Sequence, residues 1–211
     1  MASNEVRIAV TMRESNAQGY VEFRDALARN WIDFLDIALP EALWLPVPNM
    51  GAEAVSRYWR KWRLNGLILT GGEDIGFSKL RDETEKALLE IALDQECPIL
   101  GVCRGLQMMW NKIGGKMRSV GGHVACRHSV KIEHANFFTK HDINSYHGNG
   151  LFEDEGLRED YAVFARAEDG EIEGVEFRRG QMIGMMWHPE RETFPAAYDV
   201  ALIRKLFDLE A

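Results

Sequence analysis

The sequence predicts an α/β fold: a doubly wound, mostly parallel sheet with helices on both faces and an antiparallel extension. In the first half of the chain, short and continuously apolar runs alternate with segments of helical periodicity. This alternation is typical of parallel strands that are covered on both faces. After Gly114 and Gly115 the runs become short and alternating, which favours antiparallel strands. The sequence contains no repeat, low-complexity tract or composition break, so we expect a single domain over residues 1–211.

The first strand and the first helix are predicted from a change of apolar spacing. Residues 6–11 (VRIAVT) form a short β-rich run. Apolar residues at helical spacing follow, among them Phe23, Leu27 and Trp31, and they predict a helix over residues 20–39.

The same unit of strand and helix is then repeated. Residues 42–47 form an apolar run that contains and precedes prolines, and they predict the second strand. Val55, Trp59 and Trp62 mark an amphipathic helix over residues 52–64.

Two further buried strands are predicted at residues 66–70 and 98–102, with a helix over residues 80–95 between them. The first of these strands ends in a Gly-Gly turn. Because ligands of parallel sheets bind at the carboxyl ends of the strands, we expect the functional residues to follow these runs.

The second half of the chain has a different pattern. Four short alternating runs lie at residues 129–132, 161–165, 172–177 and 182–187. They predict antiparallel strands that complete the sheet. A final helix is predicted over residues 196–209.

The composition excludes several classes of protein. The chain has 25 Lys and Arg residues against 33 Asp and Glu, a formal net charge of -8, which disfavours extended binding to nucleic acid. Charges interrupt every apolar run before the ~20 residues that span a bilayer, and the first residues lack a secretory pattern. Three cysteines are too few for a disulfide framework. We therefore expect a cytoplasmic protein with no nucleic-acid or membrane partner.

Cys103 is the leading candidate for a nucleophile. It lies between Gly101 and Gly105, directly after a buried strand and before a helical stretch. This is the context of a nucleophile elbow, in which small flanking residues allow a strained turn to expose the nucleophile. The helix dipole would also lower the pKa of a thiol at this position. The alternative is an ordinary buried cysteine in a tight packing contact.

His188 is the candidate base. It ends the apolar run of residues 182–187 and precedes Pro189 and Glu190. The proline keeps the segment extended, so that the imidazole and the carboxylate point the same way. The carboxylate can hold the imidazole tautomer, which would complete a Cys-His-Glu relay with Cys103. Taken alone, the His-Pro-Glu segment also fits a surface turn.

The turn at Gly71 and Gly72 is a candidate oxyanion hole. Gly72 follows the third predicted strand at the same edge of the sheet as Cys103, and its backbone N–H is one candidate donor. The N–H of Arg104 is the second. A Gly-Gly pair is also common in ordinary turns, whereas the spacing excludes a phosphate-binding loop.

A histidine-rich stretch raises the question of a metal site. It contains His123, Cys126 and His128, with His134 and His141 downstream. The spacing fits no established zinc pattern, and the alternating residues are typical of a strand. We therefore favour a pocket wall over a metal site, and expect neither a metal ion nor a cofactor.

Three segments together resemble the class I glutamine amidotransferases, which implies a flavodoxin-like fold. They are residues 69–72 (LTGG), 101–107 (GVCRGLQ) and 187–190 (WHPE). Arg81, Asp82 and Glu85, together with residues 144–148 (NSYHG), narrow the resemblance to the peptidase C26 or γ-glutamyl-γ-aminobutyrate hydrolase group.

The resemblance implies a role for each matching residue. A γ-glutamyl amide would be hydrolysed through a γ-glutamyl thioester. The implied residues are Cys103 as nucleophile, His188 as general acid and base, Glu190 as its orienting carboxylate, Gly72 and Arg104 as oxyanion hole, and Gln107 as a contact of the glutamyl group.

A narrower resemblance, from residue 6 to about residue 192, is to members of this group whose substrate is a γ-glutamyl nucleotide amidate. The diphosphate of such a leaving group requires nearby cations. The expected substrate-binding residues beyond Gln107 are Arg13, His123, His147 and Arg127, with Arg104 and Lys116 as further cations.

We interpret the chain as a stand-alone hydrolase of a small-molecule γ-glutamyl substrate. It would require no synthase partner, and it could form a homodimer. Three alternatives stay open. One is a γ-glutamyl-γ-aminobutyrate hydrolase, and another is a glutaminase subunit that delivers ammonia to a synthase. The third is a catalytically silent binding or regulatory module, because fold does not fix function.

Overall fold

A mixed sheet lies at the centre of the fold, between helices on both of its faces. The computed structural model describes residues 5–134, 137–153, 157 and 161–209. The strands are β1 Arg7–Thr11, β2 Arg13–Asn16, β3 Phe23–Ala26, β4 Leu43–Val47, β5 Gly66–Leu69, β6 Ile99–Val102, β7 Lys116–Ser119, β8 Val124–His134, β9 Phe137–Tyr146, β10 Asn149–Phe152, β11 Tyr161–Ala167, β12 Ile172–Phe177 and β13 Met182–Met185. The α-helices are α1 Asn30–Ala38, α2 Ala52–Trp62, α3 Lys79–Asp94, α4 Arg104–Lys112 and α5 Ala197–Leu206. Short 3-10 helices form at Arg178–Gly180 and Pro189–Arg191.

Among the described residues, nine strands form the main sheet in the order β4-β1-β5-β6-β13-β12-β11-β8-β9. The first five are parallel, and the remaining strands add in antiparallel fashion from β12 onward. The predicted fold class is therefore confirmed. One detail differs: β13, expected among the antiparallel strands, pairs in parallel with β6. Its other edge pairs antiparallel with β12, so β13 joins the two halves of the sheet.

The segment before α1 differs from the predicted long helix. Instead of a helix over residues 20–39, β2 and β3 form a hairpin and the helix begins at Asn30. Phe23 is 70% exposed, so its helical spacing to Trp31 does not reflect a buried face. Gly19, at φ +88°, lies in the connection between the two strands, where the chain reverses.

The long β8–β9 hairpin was predicted only in part. The pattern indicated residues 129–132, whereas β8 extends over eleven residues and pairs with β9 along its length. β9 is the outer strand of the sheet. Residues 139–142 and 144–145 of β9 are polar, so β9 lacks the apolar alternation that would predict a strand.

Two apolar cores cover the sheet, one on each face. α2, α3 and α4 pack on one face with Trp59, Leu88 and Trp110 in the core. α1 and α5 pack on the other face around Phe34 and Ile203. Within the described part of the chain, no helix is long and apolar enough to cross a membrane. The parallel strands all run in the same direction, so their carboxyl ends lie together. The carboxyl ends of β5, β6 and β13 lead into the candidate site.

Candidate active site

Cys103 occupies a strained turn between β6 and α4. Its backbone has φ 52° and ψ -106°. Residues other than glycine rarely adopt this conformation, which costs ~1–3 kcal/mol. The Cys103 N–H donates to the Met185 carbonyl oxygen at 2.7 Å. A Cβ at Gly105 would overlap the carbonyl oxygen of Leu69, so glycine allows α4 to approach β5. This geometry agrees with the elbow predicted from the sequence.

His188 is held in place through both its side chain and its backbone. Its Nδ1 lies 2.7 Å from Glu190 Oε1, and both residues are buried. The Asn144 amide brackets its backbone: Nδ2 donates to the His188 carbonyl oxygen at 2.7 Å, and Oδ1 accepts from the His188 N–H at 3.0 Å. The imidazole lies against Gly71, where a Cβ would come within 2.6 Å of His188 Cε1. Only a residue without a side chain fits there without moving the ring.

Cys103 lies close enough to His188 to interact with its imidazole. Burial by itself lowers the pKa of His188, but the interactions with Cys103 and with Glu190 outweigh this effect and raise the pKa to about 9. The imidazolium is therefore favoured at neutral pH. The His188 imidazolium thus lies beside the candidate nucleophile Cys103.

Arg81 fixes the Gly71–Gly72 turn through hydrogen bonds to its backbone. Its Nη2 donates to the carbonyl oxygens of Thr70 and Gly71, each at 3.0 Å. The described chain has no cis peptide bond, so the Gly72 N–H points away from the Gly71 carbonyl and hence away from Arg81. Gly72 adopts φ +148°, and a Cβ there would overlap the Arg81 guanidinium.

A buried ion-pair network connects this turn to α4. Glu85 is fully buried and binds Arg81 Nε at 2.9 Å through Oε1, while Oε2 pairs with Arg104. Arg104 also binds Asp82 at 2.5 Å. The Arg104 guanidinium is therefore held inside the protein. The Arg104 backbone N–H lies in the first turn of α4, directly after Cys103.

Gln107 and Arg13 lie near the catalytic candidates. Gln107 is one turn along α4 from Cys103, and its side chain donates to the Asn149 carbonyl oxygen at 3.2 Å. Arg13 lines a cleft with His188 and Glu190. Its side chain is 47% exposed and pairs with Glu73.

Arg127 and Lys116 were predicted as cations for the substrate. Arg127 binds Asp142 and Glu192, and Glu192 accepts a hydrogen bond from Asn144. The charge of Arg127 is thus neutralised by two carboxylates, one of which accepts a hydrogen bond from Asn144, the residue that holds the His188 backbone. Lys116 lies on β7 and is exposed.

His123 and His147, also predicted to bind substrate, instead meet each other in a separate cluster with His128 and Glu173. The nearby Glu173 carboxylate raises the pKa of His123, burial lowers it and Asp169 raises it further, to about 9. Sequence reasoning missed Glu173. The available signal was a carboxylate on the apolar strand at residues 172–177, where a buried charge requires partners.

Known proteins are similar to this chain in sequence and in fold. The sequence model of the peptidase C26 family matches residues 6–190. The chain is 30% identical to the γ-glutamyl-CDP-amidate hydrolase of Campylobacter jejuni, over 96% of this chain and 98% of that protein. It is 26% identical to one subunit of the glutamine-hydrolysing GMP synthase of Methanocaldococcus jannaschii, over 60% of this chain and 65% of that protein. The fold is similar to a glutamine amidotransferase of Thermotoga maritima, with TM-score 0.64, 15% identity and coverage of 98% and 84% of the two chains.

Proposed function

Because the chain belongs to the peptidase C26 family and is a hydrolase of amide bonds, we propose that it cleaves γ-glutamyl amides and releases glutamate. The preferred substrate is γ-glutamyl-CDP-amidate, which would yield cytidine diphosphoramidate for the modification of a capsule polysaccharide. One observation carries the proposed reaction: Cys103 lies close enough to His188 to raise its pKa, and Glu190 Oε1 binds Nδ1 of the same imidazole. The relative of 30% identity over nearly the full chain supports the choice of substrate.

The reaction begins with attack of the Cys103 thiolate on the γ-carbonyl carbon. The negative charge that develops on the carbonyl oxygen is stabilised by the N–H groups of Gly72 and Arg104. The His188 imidazolium then donates its proton to the departing nitrogen, and the C–N bond breaks. A γ-glutamyl thioester on Cys103 and a neutral His188 remain.

Water completes the cycle. Neutral His188 takes a proton from water, and the hydroxide attacks the thioester carbonyl carbon. The C–S bond breaks, glutamate leaves, and the thiolate and imidazolium are restored. Glu190 holds Nδ1 throughout, so that the other ring nitrogen faces Cys103.

The pH profile tests this use of His188. Since the pKa of His188 is raised to about 9, the imidazolium persists through neutral pH, and kcat/KM should fall as the pH rises past about 9. Glu190→Gln removes the charge that supports the imidazolium. We expect this variant to lose activity by about 100-fold or more and to move the alkaline limb to lower pH. An unchanged limb in initial-rate profiles of Glu190→Gln would contradict the assignment.

Gly71→Ala tests the placement of the imidazole. The added methyl group would lie 2.6 Å from His188 Cε1, so the ring must shift. A shift of about 1 Å from the reactive position lowers kcat by roughly 100-fold. Gly121→Ala is the matched control, because a Cβ there would meet no atom of the described residues within 4 Å. Similar kcat values for the two variants, both folded by circular dichroism, would show that the ring is not confined by Gly71.

Arg13 tests the nucleotide leaving group. It is a half-exposed cation in the same cleft as His188. A hydrogen bond to a charged phosphate contributes ~1.5–3 kcal/mol, so Arg13→Gln should raise KM for γ-glutamyl-CDP-amidate by about 10-fold or more. KM for glutamine should not change. Arg24→Gln on β3 is the control, and an unchanged nucleotide KM in Arg13→Gln would remove Arg13 from the site.

A glutaminase subunit that supplies ammonia to a synthase is the second candidate, favoured by the similarity to the GMP synthase subunit. The isolated protein distinguishes the two when it is given glutamine, γ-glutamyl-γ-aminobutyrate and γ-glutamyl-CDP-amidate, with glutamate release as the readout. Strong preference for the nucleotide supports the proposal. Preference for γ-glutamyl-γ-aminobutyrate would show that the leaving group is γ-aminobutyrate and not the nucleotide amidate. Inactivity on all three substrates would favour a partner-dependent subunit.

A further inference from the structure

Three histidines and a glutamate form a compact cluster away from Cys103. We call His123, His128, His147 and Glu173 the histidine cluster; one ligand-type atom from each lies within 4.8 Å of the others. His123, His147 and Glu173 are buried, and His128 is partly exposed. The residues come from separate parts of the chain, immediately before β8, within β8, after β9 and within β12.

The three distances from Glu173 to the histidines of the cluster fit the edges of a tetrahedral metal site. Glu173 Oε1 lies 3.1 Å from His123 Nδ1, 3.2 Å from His147 Nε2 and 3.4 Å from His128 Nε2. Four ligands placed ~2.0–2.1 Å from a zinc ion at tetrahedral angles are separated by about 3.3 Å. The three measured edges match that separation.

The orientation of these atoms also favours an ion. Among the described residues, His123 Nδ1 and His128 Nε2 are buried and have no hydrogen-bond partner, although each lies close to Glu173. Their distances suit a hydrogen bond but their angles do not. Buried nitrogen atoms without a hydrogen bond are rare, because each costs its full desolvation energy. A shared ion would satisfy both.

The outer nitrogen of each imidazole faces an oxygen atom. His123 Nε2 is 2.9 Å from Asp169 Oδ2, and His147 Nδ1 is 3.2 Å from the Asn149 carbonyl oxygen. His128 Nδ1 is 3.5 Å from the Ser129 carbonyl oxygen. Carboxylates and backbone carbonyls at these positions are characteristic of metal-binding histidines, since they keep the proton on the outer nitrogen and leave the inner lone pair available.

We propose that the histidine cluster binds one Zn²⁺ ion through His123 Nδ1, His128 Nε2, His147 Nε2 and a carboxylate oxygen of Glu173. Four protein ligands leave no open position, so the ion has a structural role. It ties the β8–β9 hairpin to β12. It also orders the Asn149 carbonyl, which binds both His147 and the predicted glutamyl contact Gln107.

The structure explains why the sequence did not indicate this site. Along the chain, His123 and His128 lie near Cys126, His134 and His141, a set whose spacing favours a pocket wall. Cys126 instead directs its sulfur to the Gly122 carbonyl oxygen, and His141 packs near Tyr198. The other two proposed ligands, His147 and Glu173, become neighbours of His123 only when β12 and the hairpin enter one sheet. A cavity lined by Gly122, His128 and Asp169 opens beside the cluster and gives an ion access.

The competing account is a cluster held by protons, with a protonated His123 between Glu173 and Asp169. It requires no metal ion. Zinc could also bind to Cys103 and His188 and be mistaken for binding to the histidine cluster, because a thiolate and an imidazole are good zinc ligands. Binding is therefore measured in a Cys103→Ala background, which removes that thiol and makes the result independent of the proposed function.

The experiment combines metal analysis with a competition titration. Cys103→Ala protein should retain about one Zn²⁺ per chain by inductively coupled plasma mass spectrometry. After stripping by a chelator, it should rebind Zn²⁺ with Kd below about 0.1 µM and regain thermal stability. Adding His128→Ala or Glu173→Gln should weaken binding by about 100-fold or more. His128 is partly exposed, so its replacement tests the site with little risk to folding.

His141→Ala is the matched control, a histidine on the same hairpin but outside the cluster. It should bind Zn²⁺ as the Cys103→Ala protein does. Co²⁺ in place of Zn²⁺ should give the intense visible absorption of a tetrahedral complex. Absence of Zn²⁺ binding at micromolar concentration, or equal affinity in His128→Ala and His141→Ala, would overturn the proposal and leave the proton-linked cluster.

Discussion

Replacing Cys103 by alanine is expected to lower kcat/KM for a γ-glutamyl amide by about 10⁴-fold or more. The substitution removes the atom that attacks the carbonyl carbon, and loss of a nucleophile in comparable hydrolases has effects of ~10⁴–10⁶ in kcat. The remaining groups can still bind substrate and stabilise the oxyanion. KM should therefore change far less than kcat, which steady-state assays of glutamate release can separate.

The fold should survive this change. Cys103 is a small buried side chain at the edge of the core, and alanine retains the Cβ. Cys126→Ala is the matched control, since Cys126 is a free cysteine outside the proposed site. It should keep full activity. A Cys103→Ala protein that turns over at a normal rate, without contaminating enzyme, would exclude the thioester mechanism.

The elements that carry the proposed chemistry could be predicted because they are local in sequence. Cys103 and His188 each follow a short apolar run, and parallel strands bring the ends of such runs to one edge. The elbow depends on a few adjacent residues, and glycine at positions 101 and 105 is directly readable. Their mutual contact is then a consequence of β6 and β13 lying side by side.

Features that depend on distant parts of the chain could not be predicted in this way. The helix expected over residues 20–39 was wrong at its start, because the spacing of Phe23 does not reveal that this side chain is exposed. The Asn144 amide holds His188 across 44 residues, and the histidine cluster joins four separate segments. Side-chain hydrogen bonds of this range leave no periodic signal in the sequence.

The buried network around Glu85 belongs to the same class of long-range feature, and it should dominate the response of stability to mutation. Glu85→Gln is expected to lower the free energy of unfolding by about 3–5 kcal/mol. The neutral amide would leave Arg81 and Arg104 buried with insufficient negative charge, and breaking a buried pair on one side has this effect. Urea denaturation followed by circular dichroism measures the change.

Two matched variants separate burial from charge. Asp82→Asn affects only Arg104 among these arginines and should have a smaller effect, whereas Glu90→Gln breaks an exposed pair with Lys112 and should change stability by less than about 1 kcal/mol. The expected order of destabilisation is therefore Glu85→Gln, Asp82→Asn, Glu90→Gln. Equal midpoints for Glu85→Gln and Glu90→Gln would contradict the network. Since Arg81 also binds the Gly71 carbonyl, folded Glu85→Gln protein should lose kcat as the turn beneath the proposed oxyanion loosens.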